Sequence, residues 1–213
     1  MSRIAAAREV IAIANAMDAA GFALSKSGNA SVRTEKGFLI TPTGKPYATL
    51  TPRDLVELDM DGDVIAGKLR PSSEWRFHAC LYAAKPDCQA VVHNHSPLAT
   101  ALSCTRRGIP AFHYMIAIAG GMDIPCASYA TFGTSELADN LLAAIGDRNA
   151  VLLANHGVVA CGPSLAKAWT VAKEVENLAG QYLDILASGL KPVILDEAEM
   201  RRVIAKFADY GQK

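Results

Sequence analysis

The apolar positions along this chain repeat with two different periods, which indicates that helices and strands alternate. Residues 4–20 place apolar side chains at helical spacing, and Gly21 follows as a natural stop. A short helix is also predicted to start at Thr51-Pro52, because proline suits the first helical turn. The same spacing predicts further helices over residues 73–84, 97–104, 134–146, 164–188 and 195–209.

Short apolar runs between these helices predict strands. Leu55–Leu58 and Val64-Ile65 flank Asp61-Gly62, a dipeptide typical of a hairpin turn. Because strands and helices are interspersed, we expect an α/β fold over residues 1–213, a single domain whose central sheet is covered by helices on both faces. The other predicted strands are GFLIT (37–41), CQAVVHNH (88–95), a segment near 124–130 and two short runs within 150–161.

The composition narrows the function classes. With 51% hydrophobic and 20% charged residues, the 213-residue chain can bury a core, which excludes wholesale disorder. The 21 basic and 21 acidic residues balance, so a nucleic-acid partner is not expected. The chain lacks a run of ~18 apolar residues and a signal peptide, so we expect no membrane partner and a cytoplasmic location. The five cysteines are scattered without a C-x-x-C pair, which favours reduced thiols.

Three of the histidines lie in or beside predicted strands. His93 and His95 are two residues apart, so the strand period places both imidazoles on one face, near enough to share one ion. His156 ends another apolar strand. A third imidazole would leave coordination positions open, which is typical of a catalytic metal site. Spacing alone fits equally well two half-buried histidines that are bonded to backbone carbonyls.

Glu74 is the second candidate group, in PSSEW at the start of a predicted helix. Beside a metal it could act as a general acid and base. Its apolar neighbours Trp75 and Phe77 would then raise its pKa toward a useful range. A carboxylate in the first turn of a helix is also favoured simply by the helix dipole, and the sequence leaves both interpretations open.

Three small polar turns are candidates for an anion site. Ser72 and Ser73 supply hydroxyls and free N–H groups at a helix start, where phosphates bind readily. Ser27-Gly28-Asn29 and Thr43-Gly44 could donate to the same phosphate. Each turn by itself is equally explained as a cap or a chain reversal. No lysine motif of a nucleotide-binding loop is present, so a nucleotide is not implied.

Eight blocks of the sequence, taken in order, resemble the class II aldolase and adducin-head family, and within it the L-fuculose-1-phosphate aldolases. The resemblance implies a three-layer fold with a mostly antiparallel sheet between helices. It also implies a metal-dependent lyase that forms a homotetramer with its site between subunits. The blocks that carry it are SGNASVR (27–33), ITPTGKPY (40–47), PSSEWRFH (71–78), AVVHNHS (90–96), IPAFHYM (109–115), IPCASYATFGT (124–134), NHGVVACG (155–162) and FADYG (207–211).

The resemblance implies one divalent metal per subunit, usually zinc, held by His93, His95 and His156. Three imidazoles also suit manganese, cobalt or iron. Glu74 matches the catalytic carboxylate of the family, which can approach the metal in the resting site. The positions that match the family's phosphate site are Asn29, Thr43, Gly44, Ser72 and Ser73, with Gly28 beside them.

The resemblance also implies an aldehyde side. Tyr114 matches a tyrosine that protonates or orients the aldehyde from a neighbouring subunit. Phe132 and Tyr210 match residues that border the aldehyde pocket. The pair Asn155-His156 replaces a frequent His-His pair, but the metal-matching histidine is kept, so we expect no loss of metal.

The reaction that the resemblance implies is the reversible cleavage of a ketose 1-phosphate. With L-fuculose 1-phosphate as the expected substrate, the products are dihydroxyacetone phosphate and L-lactaldehyde. The first alternative is the same chemistry on 5-deoxyribulose 1-phosphate or 5-(methylthio)ribulose 1-phosphate, in salvage of 5'-deoxynucleoside by-products. Related 4-epimerases carry Asp where Glu74 stands, so Glu74 favours the aldolase; decarboxylases and dehydratases remain further alternatives. A further alternative is a non-enzymatic scaffold like the adducin head, which would lack the three histidines, Glu74 and Tyr114. Without the resemblance, the same residues also fit a metal-dependent hydrolase.

Overall fold

The computed structural model describes residues 2–208, which build one eight-stranded sheet. Its spatial order is β4-β3-β2-β1-β5-β8-β7-β6. All neighbours pair antiparallel except β6 and β7, so the expected mostly antiparallel sheet is confirmed. The strands are β1 (Asn29–Arg33), β2 (Phe38–Ile40), β3 (Val56–Leu58), β4 (Val64–Ala66), β5 (Ala90–Asn94), β6 (Cys126–Ala127), β7 (Ala150–Leu153) and β8 (Gly157–Gly162).

The helices cover both faces of this sheet, as the sequence predicts. The helices are α1 (Arg3–Ala19), α2 (Trp75–Ala84), α3 (Pro97–Ser103), α4 (Ser135–Ile145), α5 (Leu165–Ala187) and α6 (Glu197–Ala208). Apolar residues of α1, α3, α5 and α6 share one buried cluster, and those of α2 and α4 share the other. Successive strand residues such as Val91 and Val92 belong to opposite clusters, because side chains alternate along a strand.

Side-chain caps fix where several helices begin. Thr134 accepts a hydrogen bond from the Leu137 N–H at 3.3 Å, and Ser164 accepts one from the Lys167 N–H at 3.2 Å. Each cap satisfies a backbone donor that the first turn leaves without a helical partner. The predicted helices over 134–146 and 164–188 therefore begin within one residue of their observed starts.

One prediction about local structure was wrong, and one strand was missed. The segment at Thr51-Pro52 is a turn, because the Asp54 carboxylate accepts from the Thr51 N–H at 2.8 Å and from its hydroxyl at 2.7 Å. Such local bonds compete with helix formation. The strand β1 was not predicted, since its stretch is rich in glycine and serine.

The short strand β6 forms one edge of the sheet. The predicted strand near 124–130 is only two residues long, and it pairs parallel to β7 at the end of the sheet. Among residues 2–208, no helix is long and apolar enough to cross a bilayer. The five cysteines are all unpaired.

Candidate active site

Three histidines from two neighbouring strands converge at one end of the sheet. His93 lies in β5, His95 follows the end of that strand, and His156 lies in the turn that joins β7 to β8. One ring nitrogen from each lies within 4.8 Å of the other two. The Nε2 atoms of His93 and His95 are 3.1 Å apart. The strand pairing therefore brings together all three histidines that the sequence singles out.

The hydrogen bond at the back of His93 sets its tautomer. Its Nδ1 donates to the carbonyl oxygen of Val158 at 2.9 Å, so in the neutral ring Nε2 presents a lone pair to the cluster. Burial and the neighbouring His93 and His156 lower the pKa of His95 to about 3, so its imidazole is neutral at neutral pH. Converging neutral imidazole nitrogens are what a divalent ion requires of its ligands.

The turn that carries His156 is unusually tight. Asn155 adopts a left-handed backbone with φ of 55°, and the His156 N–H donates to the Leu153 carbonyl at 3.0 Å. A Cβ at Gly157 would meet the Asn94 carbonyl oxygen at 2.5 Å, so only glycine allows β8 to approach β5 so closely here. This close approach brings His156 to the other two imidazoles.

Glu74 precedes α2 and turns its carboxylate toward the histidines. Its side chain makes no capping bond to the helix. Oε2 is 3.2 Å from His93 Nε2, and Oε1 is 3.2 Å from His156 Nε2. The side-chain amide of Asn29 donates to Oε2 at 3.0 Å. The structure therefore differs from the interpretation in which Glu74 is only a first-turn charge, because its carboxylate contacts the histidines and makes no bond to the helix.

The electrostatic environment of Glu74 differs from the expectation. Burial by itself would raise its pKa, but the adjacent His93 and His156 outweigh burial and hold the pKa well below its usual range. The predicted rise caused by Trp75 and Phe77 is therefore wrong, because the imidazoles are the decisive neighbours. Across residues 2–208, Oε1 has no partner with hydrogen-bond geometry. A buried acceptor left in this state beside three imidazoles fits a bound cation.

The three polar turns meet beside this cluster. They line a cavity of about 360 Å³ into which Glu74, His95 and His156 also project. The Ser72 N–H donates to the Thr41 carbonyl at 3.1 Å, so the turn before α2 is fixed next to the turn after β2. The residues of the predicted phosphate site on this cavity are Gly28, Asn29, Thr43, Gly44, Ser72 and Ser73.

Tyr47 holds the first of these turns. Its hydroxyl donates to the Gly28 carbonyl and accepts from the Gly28 N–H. Burial raises the pKa of Tyr47 to about 12, so the hydroxyl keeps its proton. A Cβ at Gly28 would meet the His93 carbonyl oxygen at 2.9 Å, which explains why glycine lies here.

The cavity has further lining residues that the sequence analysis did not single out, among them Lys26 and Tyr129. Lys26 is the one lysine or arginine that lines the cavity among residues 2–208. The sequence contains one signal for this role of Lys26, since a basic residue directly precedes the predicted Ser27-Gly28 turn.

The aldehyde-side residues are placed differently from one another. Phe132 lines the cavity and is 65% exposed. Tyr114 is 51% exposed and lines a separate apolar cavity of about 760 Å³, together with Met115 and Val203. A single chain therefore does not bring Tyr114 to Glu74. Tyr210 lies outside the described residues.

Comparison with known proteins agrees with this geometry. The model of the "Class II Aldolase and Adducin N-terminal domain" family matches residues 8–183. The L-fuculose phosphate aldolase of Escherichia coli (strain K12) is 48% identical over 99% of this chain and 98% of its own length. A 5-methylthioribulose-1-phosphate/5-deoxyribulose-1-phosphate aldolase of Rhodospirillum rubrum is 49% identical over 99% and 94%. A solved L-fuculose 1-phosphate aldolase superposes with a TM-score of 0.93 at 37% identity, covering 98% of this chain and 100% of that one.

Proposed function

We propose, from the premise that this chain belongs to the class II aldolase and adducin N-terminal domain family, that it cleaves a ketose 1-phosphate to dihydroxyacetone phosphate and a short aldehyde. The aldolase chemistry itself follows from the family and from relatives of that name over the full chain. One observation supports the proposal most strongly. The Glu74 carboxylate lies 3.2 Å from two of three clustered imidazoles, at the wall of a cavity lined by hydroxyl-bearing turns.

Class II aldolases depend on a metal, and His93, His95 and His156 could hold one here. We propose a single zinc ion per subunit, supported by three clustered imidazole nitrogens and the nearby carboxylate; manganese, cobalt and iron accept the same ligands. When bound, the ion supplies Lewis-acid stabilisation of negative charge at the substrate oxygens. The two carboxylate oxygens of Glu74 each lie 3.2 Å from one of these imidazoles, which supports a role for this carboxylate close to that ion.

Glu74 carries the proton transfer in this proposal. Cleavage of the C3–C4 bond leaves the electron pair on C3, while the C4 hydroxyl loses its proton and becomes the aldehyde. C3 must then gain a proton to become the hydroxymethyl carbon of dihydroxyacetone phosphate. A buried carboxylate beside the histidines and open to the cavity suits that transfer, in either direction.

The polar turns anchor the phosphate in this proposal. Asn29, Thr43, Gly44, Ser72 and Ser73 present donors to one cavity, with Gly28 beside them, and the Lys26 ammonium adds a positive charge at its rim. The phosphate is the end that all these substrates share. Binding it holds the reacting carbons in the correct orientation, so binding energy from a remote group contributes to catalysis. Phe132, and by resemblance Tyr210, border the aldehyde end.

Tyr114 serves the C4 oxygen in this proposal, from a neighbouring subunit of a homotetramer. The proposal is supported by the position of Tyr114, which is half exposed and lines a cavity other than the one that holds Glu74. The site would then be completed only by assembly. We also place the reaction in the cytoplasm, supported by five unpaired cysteines that suit a reducing compartment.

L-Fuculose 1-phosphate, which would yield L-lactaldehyde, is the proposed substrate. A second candidate is 5-deoxyribulose 1-phosphate or its methylthio analogue, because a relative named for those substrates matches at 49% identity against 48% for the fuculose enzyme. The two groups differ at the aldehyde end, where the exposed aromatic rings of Tyr129 and Phe132 border the cavity.

The deciding experiment measures release of dihydroxyacetone phosphate by purified, metal-loaded protein. The panel is L-fuculose 1-phosphate, L-rhamnulose 1-phosphate, 5-deoxyribulose 1-phosphate and 5-(methylthio)ribulose 1-phosphate, each with and without a chelator. We expect chelator-sensitive release, and the ranking of kcat/KM selects the substrate. Absence of release from every compound by protein shown to hold metal would overturn the proposal, and NMR of the same mixtures would then identify an epimerised, decarboxylated or dehydrated product.

A further inference from the structure

Behind Glu74, a line of buried polar side chains runs through the apolar layer between the sheet and α2. Asn29 and Ser31 project from β1, and His78 and Tyr82 project from α2, one turn apart. Ser31, His78 and Tyr82 are almost completely buried, and Asn29 is 2% exposed. Buried polar groups are costly unless they are bonded, so a connected line of four requires an explanation.

The distances in this line describe one continuous set of hydrogen bonds. Asn29 Nδ2 lies 3.0 Å from Glu74 Oε2, and Asn29 Oδ1 lies 2.5 Å from His78 Nε2. His78 Nδ1 lies 2.6 Å from the Ser31 hydroxyl, which lies 2.7 Å from the Tyr82 hydroxyl. The links from Asn29 to Glu74 and from Ser31 to Tyr82 have ordinary hydrogen-bond lengths, and the two links to the His78 ring are shorter.

The chemistry of the two ends gives the line a direction. The carboxylate only accepts, so Asn29 turns its NH₂ group to Glu74 and its oxygen to His78. His78 must then donate from Nε2. Burial, together with the nearby His93, lowers the pKa of His78 to about 3, so the ring is neutral and its Nδ1 accepts from the Ser31 hydroxyl. Ser31 in turn accepts from Tyr82.

We propose that His78 is a positioning residue which, through Asn29, fixes Oε2 of Glu74 and leaves Oε1 as the oxygen that exchanges the substrate's proton. The inference rests on the proposed function, because it assigns a task to one atom of the proposed acid and base. Its support is the asymmetry of the carboxylate. Oε2 accepts from Asn29 at 3.0 Å, whereas among the described residues Oε1 has only the contact to His156 Nε2 at 3.2 Å, which lacks hydrogen-bond geometry.

Two aromatic rings stack with the ring of His78, which suits a fixed donor. Phe77 stacks on it with ring centroids 4.8 Å apart, and Phe38 stacks at 6.5 Å. Asn29 uses its oxygen on His78 and one N–H on Glu74, so loss of the His78 donor frees the amide to turn. A turned amide would present its oxygen to the carboxylate, and the two acceptors would repel.

The test compares His78→Phe with His78→Gln, which keeps an N–H donor at the position of Nε2. The first measurement is exchange of the hydroxymethyl proton of dihydroxyacetone phosphate in heavy water, followed by NMR and normalised to metal content. We expect His78→Phe to exchange about 100-fold more slowly, the cost typical of a misplaced catalytic group, with KM changed much less than kcat. His78→Gln should recover most of that loss.

A second measurement does not depend on turnover. In crystal structures of the two variants, the Asn29 side chain should stay at 3.0 Å from Glu74 Oε2 in His78→Gln, as in the parent chain, and should leave it in His78→Phe. Tyr82→Phe is the matched control, because it removes a buried hydroxyl from the same line but keeps the three bonds nearest Glu74. Its exchange rate should fall no more than a few-fold.

The outcomes separate the two proposals. If the parent chain with metal exchanges no proton of dihydroxyacetone phosphate, the proposed function fails. If the parent chain exchanges it and His78→Phe does so at the same rate per bound metal, His78 is merely structural and the positioning role is overturned. Should His78→Phe not fold, Ser31→Ala removes the bond that sets the His78 tautomer. We then expect a loss of about tenfold in kcat at unchanged metal content, and an unchanged kcat would overturn the role.

Discussion

The Nε2 atoms of His93 and His95 face each other at 3.1 Å, while Nδ1 of His93 already donates to the Val158 carbonyl. The neutral His93 ring therefore points a lone pair at His95. Two facing imidazoles need either a proton or a cation between them. His156 brings a third ring nitrogen to within 4.8 Å of the same point, which favours a cation that all three share.

From this geometry we expect His95→Ala to lose bound metal and aldolase activity together. Two imidazoles and a carboxylate would remain, and a site that loses one of three protein ligands binds metal much more weakly. Elemental analysis of dialysed protein gives the metal per chain, and the release assay gives the activity. His113→Ala is the matched control, because that histidine lines the other cavity and its loss should leave the metal in place. Full metal content in His95→Ala would contradict the three-histidine site.

The parts of the fold that the sequence predicts are those decided by local patterns. The apolar period of α5 and the Ser164 cap predict that helix almost to its ends, and Asp61-Gly62 predicts the β3–β4 hairpin. Strand β1 was missed because only tertiary contacts explain its polar residues. Ser31, for example, lies in the sheet interior where His78 and Tyr82 satisfy its hydroxyl.

The candidate site was likewise predictable from the sequence only in part. The period of a strand predicts that His93 and His95 share a face. The sequence also offers His156 and Glu74 as candidates, and the family resemblance assigns them to one site. The link between Asn29 and His78 joins residues 49 positions apart in the sequence, so no local pattern reveals it. The direction of the Glu74 pKa was also wrong at the sequence level, because it depends on imidazoles that only the folded chain brings near.

Glu74→Gln should keep the protein folded and lose about 10² to 10⁴ in kcat, which is the usual contribution of a general acid and base. Glutamine keeps the shape and can still accept from Asn29, but it cannot carry the proton. The measurements are kcat for cleavage and proton exchange in dihydroxyacetone phosphate, both normalised to metal content. Glu57→Gln, on β3 and paired with Arg3, is the control for a lost carboxylate elsewhere. Wild-type cleavage by Glu74→Gln would remove the assigned role.

Lys26→Ala should raise KM for phosphorylated substrates with little change in kcat. Lys26 is exposed and lines a cavity whose other candidate phosphate ligands are uncharged donors, so its positive charge adds an attraction to the phosphate that falls as salt rises. Steady-state kinetics at low and high salt would measure this, with Ser73→Ala as a comparison that removes a neutral donor. If an unphosphorylated analogue loses affinity equally in Lys26→Ala, the residue does not serve the phosphate.

The Lys45–Asp54 pair gives a pH prediction away from the site. A hydrogen bond from Lys45 and two from Thr51 lower the pKa of Asp54 from 3.8 to about 2. A carboxyl with a lower pKa in the folded state stabilises the fold above its unfolded pKa, and that stability is lost as pH falls through the folded value. The difference in unfolding free energy between the parent chain and Asp54→Asn should therefore be constant above about pH 5 and shrink toward pH 2. Urea titrations at several pH values measure it, and a difference that grows with acid would have the wrong sign.

Glu176 on α5 supports the segment that carries His95, and it yields a prediction that joins stability to metal binding. Its carboxylate is 9% exposed and accepts from the Leu98 and Ala99 N–H groups at 2.9 and 2.8 Å, at the start of α3. A carboxylate suits that position because the first N–H groups of a helix have no helical partners and the helix dipole favours negative charge. Glutamine would keep one acceptor and turn an NH₂ group toward the other donor.

We therefore expect Glu176→Gln to lower the unfolding free energy by about 1–3 kcal/mol. Because α3 follows His95 directly, we also expect weaker metal retention during dialysis against a chelator. Glu174→Gln is the matched control, since Glu174 lies on the same helix but bonds at the surface to Asn177. Chemical denaturation of the metal-free chain measures the stability, and metal content after dialysis measures retention. A stable variant that still loses metal would place the effect at His95, whereas equal stability and equal retention would show that Glu176 does not support this segment.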